Sequence, residues 1–179
     1  MPVEWDKPTY DAIVTAIGNG IHVVEAAGNG SQNLDDAVYS RAHDGHYPFL
    51  PANNSGAIMV GAGFAPAHCS VTTGTTCVNN AGCPGGEVCV LQDRSRKSYS
   101  NYGSRLDLQG WGELVATTGY GGLYNSEGTN LHYEGNFGGT SSASPMVAGA
   151  VALYESVMES ETGAIVSPTD LRNQLISTG

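Results

Sequence analysis

Basic residues are scarce in this chain. Lys and Arg number 7 against 17 Asp and Glu in 179 residues, a formal net charge of −10. A nucleic-acid or anionic-membrane surface needs clustered cations. The one basic group, Arg94, Arg96, Lys97 and Arg105, reads as a solvated loop. No apolar run reaches the ~18 residues that a membrane helix needs. The opening residues Met1-Pro2-Val3-Glu4-Trp5-Asp6 show neither a basic nor an apolar leader region, so no signal peptide is expected in them. Charge is low at 13 %, but hydrophobic residues make up 40 %, too many for acidic disorder. The length suits one domain with a real core.

Cysteine is missing everywhere except one window. Cys69, Cys77, Cys83 and Cys89 fall within 21 residues rich in Thr, Asn, Gly and Pro. None of their spacings is that of a zinc knuckle, and no His lies between them. They read as two disulfides closing an insertion at about 66–97, with three connectivities open. Disulfides imply an oxidising compartment. A secreted protein whose N-terminal part lies outside this chain reconciles that with the absent leader.

What is present alternates helix and strand. Thr9 is expected to cap a helix from about Tyr10 to Asn19, with Ile13, Val14 and Ile17 on one face. Ile21–Ala26 and Ala57–Ala62 read as strands, and the second is apolar on both faces, as in a covered parallel sheet. Leu106–Leu108 and Leu114–Ala116 are weaker strand signals. A helix is expected from about Ser142 to Glu159, its small apolar first half buried. A last one is capped by Ser167 with Pro168 in its first turn and Leu171 and Leu175 as an i, i+4 pair. The class is α/β.

The chemistry concentrates in Gly138-Gly139-Thr140-Ser141-Ser142-Ala143-Ser144-Pro145-Met146-Val147-Ala148-Gly149. Glycines lead into hydroxyls at a helix N-terminus, where free N–H groups and the dipole favour negative charge. That is ground for stabilising an oxyanion, although a short Gly-Thr-Ser alone would be an ordinary cap. The twelve residues together resemble the nucleophile motif of the subtilisin-like serine peptidases, peptidase family S8, at every fixed position. The resemblance implies Ser141 as nucleophile, with Ser142, Ala143, Ser144 and Pro145 starting the helix. Val23-Val24-Glu25-Ala26-Ala27-Gly28-Asn29-Gly30 resembles the family strand ending in Ala-Ala-Gly-Asn. By that likeness Asn29 donates to the oxyanion beside the Ser141 N–H, and Ala26, Ala27 and Gly28 wall the pocket for the residue before the cleaved bond. Alone, Asn29-Gly30 would be a turn.

Smaller matches keep the register. Leu50-Pro51-Ala52 sits where the family often has a cis proline, so a cis Leu50–Pro51 bond is expected. Ser98-Tyr99-Ser100-Asn101-Tyr102-Gly103 resembles Ser-Phe-Ser-Asn-x-Gly, and Leu106–Gly112 the strand and turn after it. The resemblance spans about Thr9 to Gly179 and implies a three-layer fold, a mostly parallel sheet flanked by helices, incomplete on its N-terminal side.

Two family motifs are lacking. Neither Asp-Thr-Gly nor Asp-Ser-Gly occurs, nor does His-Gly-Thr-His-Val, so both partners of the serine in the triad are absent. His22 reads as a buried or sheet-facing residue, and His43, His46, His68 and His132 as loop residues. No His follows Ser141, which excludes the α/β-hydrolase order, and nothing supports Lys97 as a base. The chain thus reads as the C-terminal part of a secreted, extracellular serine-type endopeptidase domain, inactive alone. Its partners would be a polypeptide substrate and the rest of the catalytic domain. The alternative is a non-catalytic interaction module, pairing through the open edge of the first strand or through the cysteine loop. No cofactor is required. The acidic loop of Asn33, Asp35, Asp36 and Asp44 reads as solvated, with structural Ca²⁺ as the other reading, since EF-hand spacing is absent. Phe49 suggests a shallow substrate pocket.

Overall fold

The computed structural model describes residues 1–65, 68–72, 75, 77, 80–90 and 95–179. Helix α1 spans Lys7–Gly18. Its cap is Asp6, not Thr9: the Asp6 carboxylate accepts from the Thr9 N–H at 3.1 Å and the Thr9 hydroxyl at 2.6 Å. Asp caps as well as Thr and lets Pro8 stand inside the first turn, where its missing N–H costs nothing. Ile13 is buried but Val14 is exposed, so the apolar stripe is narrower than its spacing suggests.

The sheet is parallel, in the order β1 (Val24–Ala26), β2 (Ile58–Gly63), β5 (Leu108–Trp111). Val24 pairs Ile58, and Val60 pairs Leu108. All six residues of β2 are buried, as an apolar central strand requires. Ile58, Val60 and Ala62 face α2 (Thr140–Thr162) and α3 (Pro168–Thr178), packing on Ala143, Val147, Val151 and Leu171. Met59 faces the other way, with Ala27, Leu34 and Phe49 and the rings of Trp5 and Tyr39. Sheet and two covering layers give the expected α/β arrangement, with β1 on one edge and β5 on the other.

Helix α2 begins earlier and ends later than its sequence signals, and only one of its faces is covered. Ala148, Gly149, Ala150, Ala152 and Leu153 are exposed, where a buried first half was expected. Its small residues run all round, and in this chain the sheet covers a single stripe. Pro168 and the Ser167 cap of α3 stand as read, the Ser167 hydroxyl accepting from the Asp170 N–H.

Two short antiparallel pairs complete the chain: β3 (His68–Cys69) with β4 (Cys89–Val90), and β6 (Val115–Thr118) with β7 (Tyr133–Phe137). The first lies in the cysteine insertion, whose disulfides are Cys69–Cys83 and Cys77–Cys89, interlaced in sequence. Its base closes where the Phe64 N–H donates to Ser95 O and the Lys97 N–H to Ala62 O. Part of the insertion, including Arg94, lies outside the described residues.

Three further expectations are corrected. No cis peptide occurs among the described residues, so Leu50–Pro51 is trans. The three described members of the basic group, Arg96, Lys97 and Arg105, are held by partners rather than forming a solvated loop. Arg105 is buried against Glu4, Lys97 pairs with Glu113, and Arg96 binds the carbonyls of Lys97, Ser98 and Ser100 and covers the Tyr102 ring. Each of these three meets a partner distant in sequence or a run of turning carbonyls, which a charge pattern does not reveal. His46 is also buried, its ring nitrogens 2.6 Å from His43 O and 3.0 Å from Glu4 O.

Candidate active site

Gly112 follows β5 and anchors the loop before α2: its carbonyl accepts from the Gly139 N–H at 2.9 Å. A side chain at 138 would lie 2.7 Å from that carbonyl, so the close approach needs glycine. Gly139 is the N-cap, with φ +85, a conformation that other residues adopt only with strain. The Ser142 hydroxyl, buried, donates to Trp111 O at 2.7 Å. Gly110 of β5 lies so close to α2 that a Cβ would meet the Ala143 carbonyl at 2.6 Å. These contacts fix the helix start against the carboxyl end of the sheet, where ligands of open α/β sheets bind.

Ser141 stands in the first turn of α2, exposed. Its N–H has no acceptor among the described residues, as befits a first-turn amide. Pro145, four residues on, has no N–H to give the Ser141 carbonyl.

Asn29 arrives from the other edge of the sheet. β1 runs through Ala26 into Ala27, fully buried, then Gly28 and Asn29. The Asn29 Oδ1 accepts from the Thr140 N–H at 2.9 Å and from the Thr140 hydroxyl at 3.1 Å. The same hydroxyl accepts from the Gly28 N–H at 3.1 Å. With Oδ1 committed twice, the Nδ2 donor is left free to point elsewhere. Residues 112 positions apart in the chain are thereby joined at the residue next to Ser141.

Two residues of the site were not read from the sequence. Thr140 belonged to the motif but was given no part; its hydroxyl links Asn29 to Gly28. Asn101, fully buried, donates to Ala27 O at 2.7 Å and accepts from the Gly30 and Gln32 N–H groups at 3.1 and 2.9 Å. It holds the turn that carries Asn29. The Ser-Asn-Tyr-Gly run contained that signal only as a motif match.

None of the four histidines with described side chains is placed against Ser141. His22 lies 3.4 Å from Glu155. Glu155 is 14 residues along α2 from Ser141, roughly 21 Å at 1.5 Å per residue. His43 stacks on Trp5 at 4.1 Å, His46 is bonded to Glu4 O, and His132 lies beside Gly121. The side chain of His68 lies outside the described residues. Lys97 is spent on Glu113.

The acidic loop does not gather. Asp35 accepts from the Ser104 N–H and hydroxyl, Asn33 donates to Asp36, and Asp44 lies 3.3 Å from His43. Among the described residues the one cluster with ligand spacing is Cys69, Cys77 and Cys83, whose sulfurs are all in disulfides. Phe49 is 3 % exposed and belongs to the core beneath Ala27.

Glu25 of β1 belongs to a buried ionic cluster. Arg105 donates to Glu4 at 2.7 and 3.1 Å and to Asp107 at 3.1 Å, and lies 3.6 Å from Glu25. Burial first, and the neighbouring Glu4 charge second, push the Glu25 carboxyl up to about 8. Neither Glu25 carboxyl oxygen has a hydrogen-bond partner among the described residues.

The subtilase family profile (Peptidase_S8) matches residues 2–179. Alkaline serine exoprotease A of Vibrio alginolyticus is 30 % identical over 162 residues, 90 % of this chain and 25 % of that protein. An extracellular serine proteinase of a Thermus species is 34 % identical over 143 residues, 80 % of this chain and 23 % of that protein. Among solved structures, a cold-adapted subtilisin-like serine proteinase superposes with a TM-score of 0.55 at 24 % identity, covering 96 % of this chain and 43 % of that one. A protease of Pseudoalteromonas arctica gives 0.53 at 27 %, covering 97 % and 40 %. The chain thus spans about a quarter of these curated relatives and well under half of the solved chains.

Proposed function

For a chain that belongs to the subtilase family, we propose serine-type peptide-bond hydrolysis at Ser141 in an extracellular enzyme, with a base brought by a further part of the catalytic domain. The observation that carries this reading is the pair of hydrogen bonds from Thr140 to Asn29, which brings Asn29 beside Ser141. In the reaction Ser141 Oγ bonds to the substrate carbonyl carbon and its proton passes to a histidine. The carbonyl oxygen, now negative, is held by the Asn29 Nδ2 and the Ser141 N–H. Collapse breaks the C–N bond, and the proton goes to the leaving amine. Water, deprotonated by the same base, then releases the acyl group. Ala26, Ala27 and Gly28 wall the pocket of the residue before the cleaved bond.

The partner that supplies the base is the N-terminal part of a subtilase catalytic domain. Support comes from the free edge of β1 and the uncovered face of α2. Beside them is a cavity of about 490 Å³ lined by Ile21, His22, Val24, Ala148, Ala152 and Glu155. An exposed apolar strand edge seeks a partner. Without a base, a serine hydroxyl is a weak nucleophile. Secretion follows from the disulfides and from relatives named as extracellular.

The test is co-expression with the N-terminal part of a relative's catalytic domain, followed by a fluorophosphonate probe. Labelling is expected at Ser141, to vanish in Ser141→Ala and to require the added fragment. If no labelling or peptidase activity appears while the two polypeptides co-purify, the chain is instead a non-catalytic interaction module.

A further inference from the structure

The hairpin β6–β7 springs from the end of β5, the sheet edge opposite β1, and returns through Phe137 to the Ser141 loop. Ser141 is therefore flanked by Ala26–Asn29 on one side and by this hairpin on the other. Against the hairpin lies a cavity of about 460 Å³ lined by Thr117, Thr118, Gly119, Tyr120, Glu134 and Phe137. Tyr120 is almost wholly exposed. Glu134 is half-buried, and its Oε1 is fixed by the N–H groups of Gly135 and Asn136 at 2.9 and 3.0 Å. Its Oε2 has no hydrogen bond or cation among the described residues. The backbone of Gly122 lies against the carboxylate, where a Cβ would come within 2.5 Å of Oε2, so only glycine leaves room there for Glu134.

We infer that this cavity receives an arginine or lysine side chain of the polypeptide substrate, on the leaving-group side of the cleaved bond, with Glu134 as its counter-charge. The carboxylate lines the cavity, and among the described residues no cation pairs with it. Tyr120 and Phe137 offer ring faces of the kind on which a guanidinium stacks. Phe137 lies four residues before Ser141, at most ~13 Å along extended chain. An extended substrate rises by about 3.3 Å per residue, so Phe137, at the near side of the pocket, is within reach of a residue up to about four places past the cleaved bond. The identity of the occupant rests on the peptidase reading; the pocket and its charge do not.

Binding tests this without catalysis, so failure here and failure of the labelling experiment are separable. The Ser141→Ala chain, labelled with ¹⁵N, is titrated with an alanine-based hexapeptide amide containing one arginine, and with its glutamine counterpart. Shifts are expected at 117–120 and 134–137, with the arginine peptide held about five-fold tighter at low salt and the advantage shrinking as salt rises. Glu134→Gln keeps the Oε1 acceptor and should abolish the preference, while unchanged amide shifts elsewhere report that the hairpin is still folded. Equal affinity of the two peptides, shifts confined to other residues, or no shifts at millimolar peptide would overturn the inference.

Discussion

Asn29 and Thr140 are bound to each other twice through a single oxygen, Oδ1, which accepts the Thr140 N–H at 2.9 Å and its hydroxyl at 3.1 Å. The amide is thereby oriented before any substrate arrives, and preorganised donors are the kind that stabilise a developing charge best.

Removing the donor should therefore cost turnover rather than binding. In the complemented enzyme, Asn29→Ala is expected to lower kcat by about 10²–10³ with little change in KM, the size known for loss of one oxyanion donor in subtilisin itself. Steady-state kinetics on a peptide substrate check it; an unchanged kcat removes Asn29 from the mechanism.

Thr140→Val tests orientation apart from donation. It keeps the shape and the backbone N–H but deletes the hydroxyl that serves both Asn29 and Gly28. A drop of about 10-fold in kcat is expected, the worth of about one buried hydrogen bond. A loss as large as that of Asn29→Ala would mean that the hydroxyl does more than orient.

Arg105 is 3 % exposed and compensates Glu4 and Asp107 together, with Glu25 3.6 Å away. Arg105→Met leaves buried carboxylates without their shared cation, and about 3–5 kcal/mol of stability should go with it. Urea unfolding against the parent measures the change. A loss below 1 kcal/mol would show that Asp107 and Arg172 hold the cluster without it.

Stability should also fall on the alkaline side. The folded Glu25 carboxyl titrates at about 8, above its unfolded value of 4.5. The folded state thus binds the extra proton between those values. Its contribution is complete below about 4.5 and is lost as pH rises through 8. Midpoints of urea unfolding at pH 5 and pH 9 should differ in the parent, and the difference should narrow in Glu25→Gln. Parallel pH curves for the two proteins would exclude Glu25 as the cause.

Much of this molecule is written locally. The Ser167-Pro168 helix start, the all-apolar β2 and the glycine-rich approach to α2 are local choices of cap, period and backbone freedom, and neighbouring residues suffice to specify them. The Gly138–Gly149 run and Ala26–Asn29 were legible because backbone geometry restricts which residues can stand there. Other features depended on partners far away in the chain. Asp6 rather than Thr9 caps α1; Arg105 and His46 are buried rather than solvated; α2 is covered on one face only. Three cysteine pairings were open until the folding of the insertion brought Cys69 to Cys83 and Cys77 to Cys89. Burial and pairing are properties of space, and no local pattern encodes that Glu4 and Arg105, 101 positions apart, will meet. The order of residues determined the elements and the motif that carries Ser141, whereas packing alone decided which charges are hidden, which faces stay open and what holds Asn29 in place.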